Sequence, residues 1–166
     1  IDYYFPIRVK ARETAYDKDV FHPEFYYEPW VMPGRKYNAD RGWEIYEEAV
    51  VDIGMRIKED YDNIPWFISE NGIGIEGEDR YRNKEGYIDD DYRIDFLKGH
   101  LQRALKVRNM GSNCFGYFVW SFVDNLSAIN AFKNRYGLLE LDLKTGNRIP
   151  KKSLYWFKEI MKDRQV

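Results

Sequence analysis

The chain has 166 residues, room for one domain, with 44 % hydrophobic and 33 % charged residues, a globular balance that excludes an intrinsically disordered chain. Its 26 basic and 28 acidic side chains give a net charge of −2 and form no basic stripe, so nucleic acid is not an expected partner. One cysteine, Cys114, and two distant histidines, His22 and His100, supply neither a disulfide nor metal-ligand spacing, and no apolar run is long enough to cross a membrane. The expectation is a cytoplasmic protein with no metal, cofactor or membrane contact.

The chain opens on Ile-Asp-Tyr-Tyr-Phe-Pro-Ile, which reads as the end of a strand whose beginning is missing. Residues 8–40 are rich in Pro, Tyr and charge, the composition of a long excursion loop. Ile45, Ala49, Ile53 and Ile57 recur every fourth residue, which predicts a helix over 43–60. Pro65 closes that connection, and Trp66-Phe67-Ile68-Ser69 follows as a short buried strand. After a polar loop over 71–90, Asp90 or Asp91 caps a helix whose buried face carries Ile94, Leu97, Leu101 and Leu105, with Gly111 as its stop. The nearly continuous apolar run 115–123 predicts a strand covered on both faces. Residues 138–149, with the turn Lys144-Thr145-Gly146-Asn147, suggest a hairpin, and 151–163 a last helix with Leu154, Phe157, Ile160 and Met161 inward.

Alternating buried strands and amphipathic helices imply an α/β fold with a parallel sheet. Three βα units are too few for a closed eight-stranded barrel, which takes about 250 residues. Strand edges and apolar surface should therefore stay uncovered, and self-association is an expected consequence.

In parallel α/β sheets ligands gather at the C-terminal ends of strands. Two polar constellations fall at such ends: Ser69-Glu70-Asn71-Gly72, and Trp120-Ser121 with Asp124, Asn125 and Ser127. Position alone leaves Glu70 open between a functional carboxylate and one bound to loop amides. It likewise leaves Trp120 open between a sugar platform and a core ring. The aromatic share of 17 % suits sugar stacking, and equally suits core filling.

Several segments resemble family 1 of the glycoside hydrolases. Phe67-Ile68-Ser69-Glu70-Asn71-Gly72 is similar to its nucleophile signature. Gly116-Tyr117-Phe118-Val119-Trp120-Ser121 with Asp124-Asn125 is similar to its eighth barrel strand. Gly42-Trp43-Glu44-Ile45-Tyr46, Asp91-Tyr92-Arg93-Ile94, Arg135-Tyr136-Gly137 and Arg148-Ile149-Pro150-Lys151-Lys152-Ser153 match in the same order and spacing. The resemblance implies the C-terminal portion of a (β/α)8 barrel, from the end of strand six through helix eight, as one partial domain over 1–166.

It also implies a retaining β-glycosidase. Two carboxylates about 5–5.5 Å apart act in such enzymes, one as nucleophile and one as acid/base. Glu70 matches the nucleophile, Tyr4 the tyrosine that hydrogen-bonds it, and Trp120 the sugar platform. The family's acid/base sits in an Asn-Glu-Pro motif that is absent here; Glu28-Pro29 lacks the preceding Asn and lies elsewhere. The chain alone should therefore be inactive, with an N-terminal half-barrel as an expected partner.

Family members acting on plain glucosides carry Glu-Trp where this chain has Ser127-Ala128, and often Phe where it has Tyr136. Ser127, a lysine and Tyr136 resemble the phosphate clamp of 6-phospho-β-glycosidases, and Ala128 leans towards phospho-glucosides. The clamp lysine normally lies two residues before the Tyr, where Asn134 stands; Lys133 is adjacent. The implied substrate is a 6-phospho-β-glucoside, with a plain β-glucoside, or a non-catalytic sugar-binding half-barrel, as the alternatives.

Overall fold

The structure, a computed structural model, describes residues 1–13, 21–163 and 166, and its architecture rests on a short parallel sheet. Residues 14–20 of the expected excursion, and 164–165 beyond the last helix, lie outside the described residues. Strands β1 (Val9–Ala11) and β2 (Tyr27–Pro29) pair antiparallel, as do β3 (Tyr37–Asn38) and β4 (Trp43–Glu44). The excursion is thus not all loop: its ends fold into two small ladders.

Helix α1 (Ala49–Asp60) starts six residues later than the apolar spacing predicts. Local contacts hold 43–44 extended. Gly42 takes a left-handed φ of 69°, Trp43 stacks on Phe5 at 4.5 Å, and both oxygens of Glu44 accept from Arg8 at 2.6 and 2.7 Å. On α1 itself Gly54 faces the sheet, where a Cβ would sit 2.6 Å from the Trp66 ring. Its lack of a side chain sets how closely the helix lies on the strand that carries Trp66.

Strand β5 (Trp66–Asn71) runs two residues further than the apolar run suggests, and it carries the motif glutamate within the strand. It pairs in parallel with β7 (Cys114–Val119), and residues 1–3 lie parallel along its other edge. There the Ile1 amine donates to Phe67 O, Ser69 N to Ile1 O and Tyr3 N to Glu70 O. Between them α2 (Asp91–Asn109) makes the crossover that a parallel pair needs. The strand–helix–strand alternation expected of an α/β chain is what is found.

Two core clusters cover one face of this sheet. One joins Val50, Val51, Ala104 and Val107 of the helices to Trp66, Ile68 and Cys114. The other joins Phe96 and Leu97 to Ile73, Ile75 and Leu138, with Leu154 and Phe157 of α3 (Lys152–Asp163) against it. Strands β6 (Ile75–Glu76) and β8 (Asn134–Arg135) pair antiparallel beside the sheet. The expected hairpin forms from β9 (Leu139–Leu141) and β10 (Arg148–Pro150), its turn held by Gly146 N donating to Asp142 O at 2.8 Å.

Three burial expectations are corrected. The apolar run at β7 is not covered on both faces, since Phe115, Phe118 and Phe122 are each about three-fifths exposed. Leu105 of α2 and Met161 of α3 face outward. The buried face of α2 instead runs through Arg93, Phe96, Leu97, His100, Ala104 and Val107. The residues left outside are apolar and adjacent: Leu101, Leu105, Phe118, Phe157 and Met161 line one groove of about 430 Å³. The faces that lie open are those a larger sheet and its helices would cover. No helix among the described residues is long and apolar enough to cross a membrane.

Candidate active site

The site is built where β5, β7 and residues 1–4 end together. Side chains alternate along a strand, so Glu70 and Asn71 of β5 point to opposite faces. Asn71 points inward and is fully buried. Its amide donates to Tyr3 O at 2.6 Å and its oxygen accepts from the Tyr117 hydroxyl, so one side chain ties the three parallel strands at their mouth. At the next residue a Cβ on Gly72 would fall 1.7 Å from Trp120 O, so only glycine lets the two strand ends meet. Trp120 N donates to Asn71 O at 2.8 Å in the same contact.

Glu70 is held from one side by Tyr4, whose hydroxyl donates to Oε2 at 2.8 Å. Burial, then the hydrogen bond to Glu70 and its charge, push the Tyr4 phenol well above its ordinary pKa. Tyr4 therefore stays a proton donor to the carboxylate at any working pH. A carboxylate stabilised by a fixed donor at a strand end is equipped to attack as an anion. The nearby Asp2 is not its counterpart: it accepts from Ser69 Oγ at 2.5 Å, on the other face of the strand. Glu28, of the one Glu-Pro pair, lies on β2 in an ion pair with Lys10 at 2.8 Å.

Trp120 is half-exposed beside this carboxylate strand, and the Trp120–Ser121 peptide is cis. Ser121 N donates to Tyr136 O at 3.2 Å and Leu138 N to Ser121 O at 3.0 Å, which lays the Tyr136 segment along the end of β7. The Tyr136 ring rests on Gly74, where a Cβ would come within 2.2 Å of it. It meets the Tyr4 ring edge-on at 6.5 Å. Glu70, Tyr4, Trp120 and Tyr136 are thus brought together.

Ser127 stands further out, in a turn over 127–131 closed by its backbone hydrogen bonds to Ala131, both 2.9 Å. Lys133 is exposed, and its ammonium lies 3.3 Å from Glu76 of the neighbouring β6. Among the described residues no hydrogen bond or ion pair joins Lys133 to Ser127 or Tyr136. No group of three or more His, Cys, Asp or Glu side chains among the described residues could hold a metal ion.

Behind the mouth lies a charge network that sequence reading missed. Arg93 and Lys151 are fully buried. Arg93 donates to Asp90, Glu78, Ile73 O and Tyr136 O; Lys151 donates to Glu78 at 2.5 Å and to Asp124 at 2.9 Å. Asp124 in turn accepts from Gly137 N at 2.8 Å. The network fixes the backbone on both sides of Tyr136. Little in the sequence marks it, since Arg93 and Lys151 stand among other charged residues, Asp89 to Asp91 and Asp95 around the one and Arg148 and Lys152 around the other. Arg41, in the β3–β4 turn, was also missed, and Trp43, matched within its motif but given no place at the site, reaches it from β4.

The structure thus sets a carboxylate at the end of a parallel strand, held by a tyrosine hydroxyl and beside a tryptophan and a second tyrosine. The family model for glycosyl hydrolase family 1 matches residues 3–166, and the chain belongs to that family. It is 53 % identical to the 6-phospho-beta-glucosidase GmuD of Bacillus subtilis over 162 residues, which cover 96 % of this chain and 35 % of that protein. It is 43 % identical to a 6-phospho-beta-galactosidase of Clostridium acetobutylicum over 77 % of this chain and 26 % of that one. Among solved structures, a family 1 β-glucosidase from Thermotoga maritima superposes with a TM-score of 0.83 at 31 % identity, covering 99 % of this chain and 34 % of that one. The chain thus spans about a third of the length of these relatives.

Proposed function

We propose that this chain forms the C-terminal third of a (β/α)8 barrel that hydrolyses 6-phospho-β-glucosides with retention of configuration. Residues 1–166 would supply the end of barrel strand six through helix eight as one partial domain. The observation that carries the reading is Glu70 at the end of β5, held by the Tyr4 hydroxyl at 2.8 Å. In the first step Glu70 attacks the anomeric carbon, the bond to the leaving oxygen breaks, and that oxygen takes a proton from an acid supplied by the rest of the barrel. In the second, water deprotonated by the same group displaces the ester and frees Glu70. Trp120 would floor the sugar, and Tyr136 and Ser127 would face the 6-position.

The phosphorylated substrate is favoured by Ser127, where a carboxylate would repel a phosphate, and by the names of the relatives most alike in sequence. A phosphorylated sugar and a lone buried thiol suit a cytoplasmic site of action. The partner that completes the site would cover the exposed faces of β7 and α3. Without it, general-acid help is missing, a loss of about 10²–10⁴-fold before any loss of substrate contacts.

The test is turnover of chromogenic β-glucoside and 6-phospho-β-glucoside by this chain alone and after assembly with the N-terminal two-thirds of a family barrel. Activity is expected only in the assembly, mainly on the phosphorylated substrate, and lost in Glu70→Gln. Turnover of the plain glucoside alone would overturn the substrate reading. No turnover in a demonstrated assembly would favour a non-catalytic half-barrel.

A further inference from the structure

We infer that Arg41 supplies the positive charge that grips the sugar phosphate, in the place where the resemblance puts a lysine. The inference rests on the 6-phospho reading and adds the residue that would enforce it. Lys133 lies in the turn just before β8 and Asn134 is the first residue of the strand. Lys133 turns out to Glu76, while Asn134, only 3 % exposed, turns in. What Asn134 meets there is a guanidinium: its Oδ1 accepts from Arg41 Nη1 at 3.2 Å, across 93 positions of sequence.

Arg41 is seated on the aromatic side of the site. Its guanidinium lies 4.2 Å over the Trp43 ring, and Trp43 is 5.9 Å from Tyr4, the partner of Glu70. The charge of Arg41 acts on the Tyr136 phenol, opposing the effect of burial there. Asn130, from the turn that carries Ser127, also donates to Asn134 Oδ1. Arg41, Asn134 and Asn130 thus form one hydrogen-bonded unit, beside the turn that carries Ser127.

The unit is built for an anion. Among the described residues Arg41 has no carboxylate partner, unlike Arg8, Arg80, Arg82 and Arg93. Two donors in it, Arg41 Nε and Asn134 Nδ2, are buried with no hydrogen-bond partner, against one such acceptor, Asn130 Oδ1. The amide orientations are set by the cation: Arg41 fixes Asn134 Oδ1 as an acceptor, which leaves Nδ2 as the free donor. A buried donor without a partner is costly to keep, so one on the cation and one on the amide beside it are retained against a penalty that a phosphate oxygen would remove. A guanidinium also offers paired N–H groups that match phosphate oxygens, which a single ammonium does not.

The experiment uses the assembled barrel and reads the ratio of kcat/KM on the 6-phospho-β-glucoside to that on the plain glucoside. Arg41→Met keeps the stem on Trp43 and removes the charge; the ratio should fall about 10- to 100-fold, through KM on the phosphorylated substrate, as expected for a charged hydrogen bond. Arg41→Lys should recover only part of it, and Lys133→Ala should leave the ratio in place. Inorganic phosphate should compete with the phosphorylated substrate in the parent and lose that effect in Arg41→Met. If the parent discriminates and Arg41→Met discriminates as well, Arg41 is not the clamp, and a collapse in Lys133→Ala would assign that role to Lys133. If the parent itself shows no preference for the phosphorylated substrate, the 6-phospho reading fails first, and this inference with it.

Discussion

Tyr4 and Lys151 illustrate two ways in which one side chain governs this site. Tyr4 touches Glu70, the proposed nucleophile, directly, and its hydroxyl donates to that carboxylate. Tyr4→Phe keeps the ring against Trp43 and removes that donor, so kcat of the assembled enzyme should fall about 10- to 100-fold with little change in thermal midpoint. A steady-state comparison with the parent checks this. Lys151 acts at a distance. It neutralises Glu78 and Asp124, which are both buried, and Asp124 holds Gly137 beside Tyr136. Lys151→Met would remove the cation that Glu78 and Asp124 share, leaving Glu78 to Arg93 and Asp124 to Arg135 at 3.6 Å, and breaking a buried pair costs up to about 3–5 kcal/mol. Urea unfolding of the chain should show that loss as a lower midpoint. An unchanged midpoint would mean the network rearranges or admits water.

At the scale of elements, helix α2 carries a pH-dependent part of the stability. His100 is fully buried between Phe96 and Tyr3, and its Nδ1 lies 2.8 Å from Phe96 O. Nδ1 is then the donor and Nε2 has no partner, an arrangement that fits the neutral ring only. Burial lowers its pKa from 6.5 to about 4. Folding therefore favours the neutral form, and the stability this gives is complete above pH 6.5. It is lost as pH falls from there towards about 4, by about 1.4 kcal/mol per pH unit within the window. Thermal midpoints measured from pH 7 to 4 should decline, and His100→Gln should flatten that decline.

The same elements show what sequence can and cannot disclose. The strand at 66–71, helix α2 and the final hairpin are legible because each is specified by neighbours in the chain. The place of Glu70 at a strand end is legible for the same reason, since it follows directly on that apolar run. The start of α1 is not, because the spacing of Ile45 fits a helix while Arg8 and Phe5, far away in sequence, hold residues 43–44 extended. Leu105 and Met161 read as core because apolar periodicity marks a face without saying whether this chain covers it. The pairing of Arg41 with Asn134 escapes for a deeper reason: it joins a turn and a strand 93 positions apart, and although Asn134 stands out where a lysine is expected, nothing in its own segment points to Arg41.

For the molecule as a whole, the exposed rings of Phe115, Phe118 and Phe122 and the groove along Leu105 and Met161 form a continuous unsatisfied surface. The isolated chain should bind an apolar dye and sediment as oligomers, and addition of the N-terminal part of a family barrel should suppress both. Persistence of both after assembly would show that these faces are not where the rest of the barrel docks. The central claim is chemical, and it is tested most directly by trapping the intermediate. The assembled enzyme would be treated with a 6-phospho-2-fluoroglucoside, whose glycosyl-enzyme ester hydrolyses slowly, and the adduct located by peptide mass spectrometry. The expected result is one sugar phosphate per assembly on the peptide containing Glu70, absent in Glu70→Gln. An adduct on another carboxylate, or turnover with inversion and no adduct, would contradict the account.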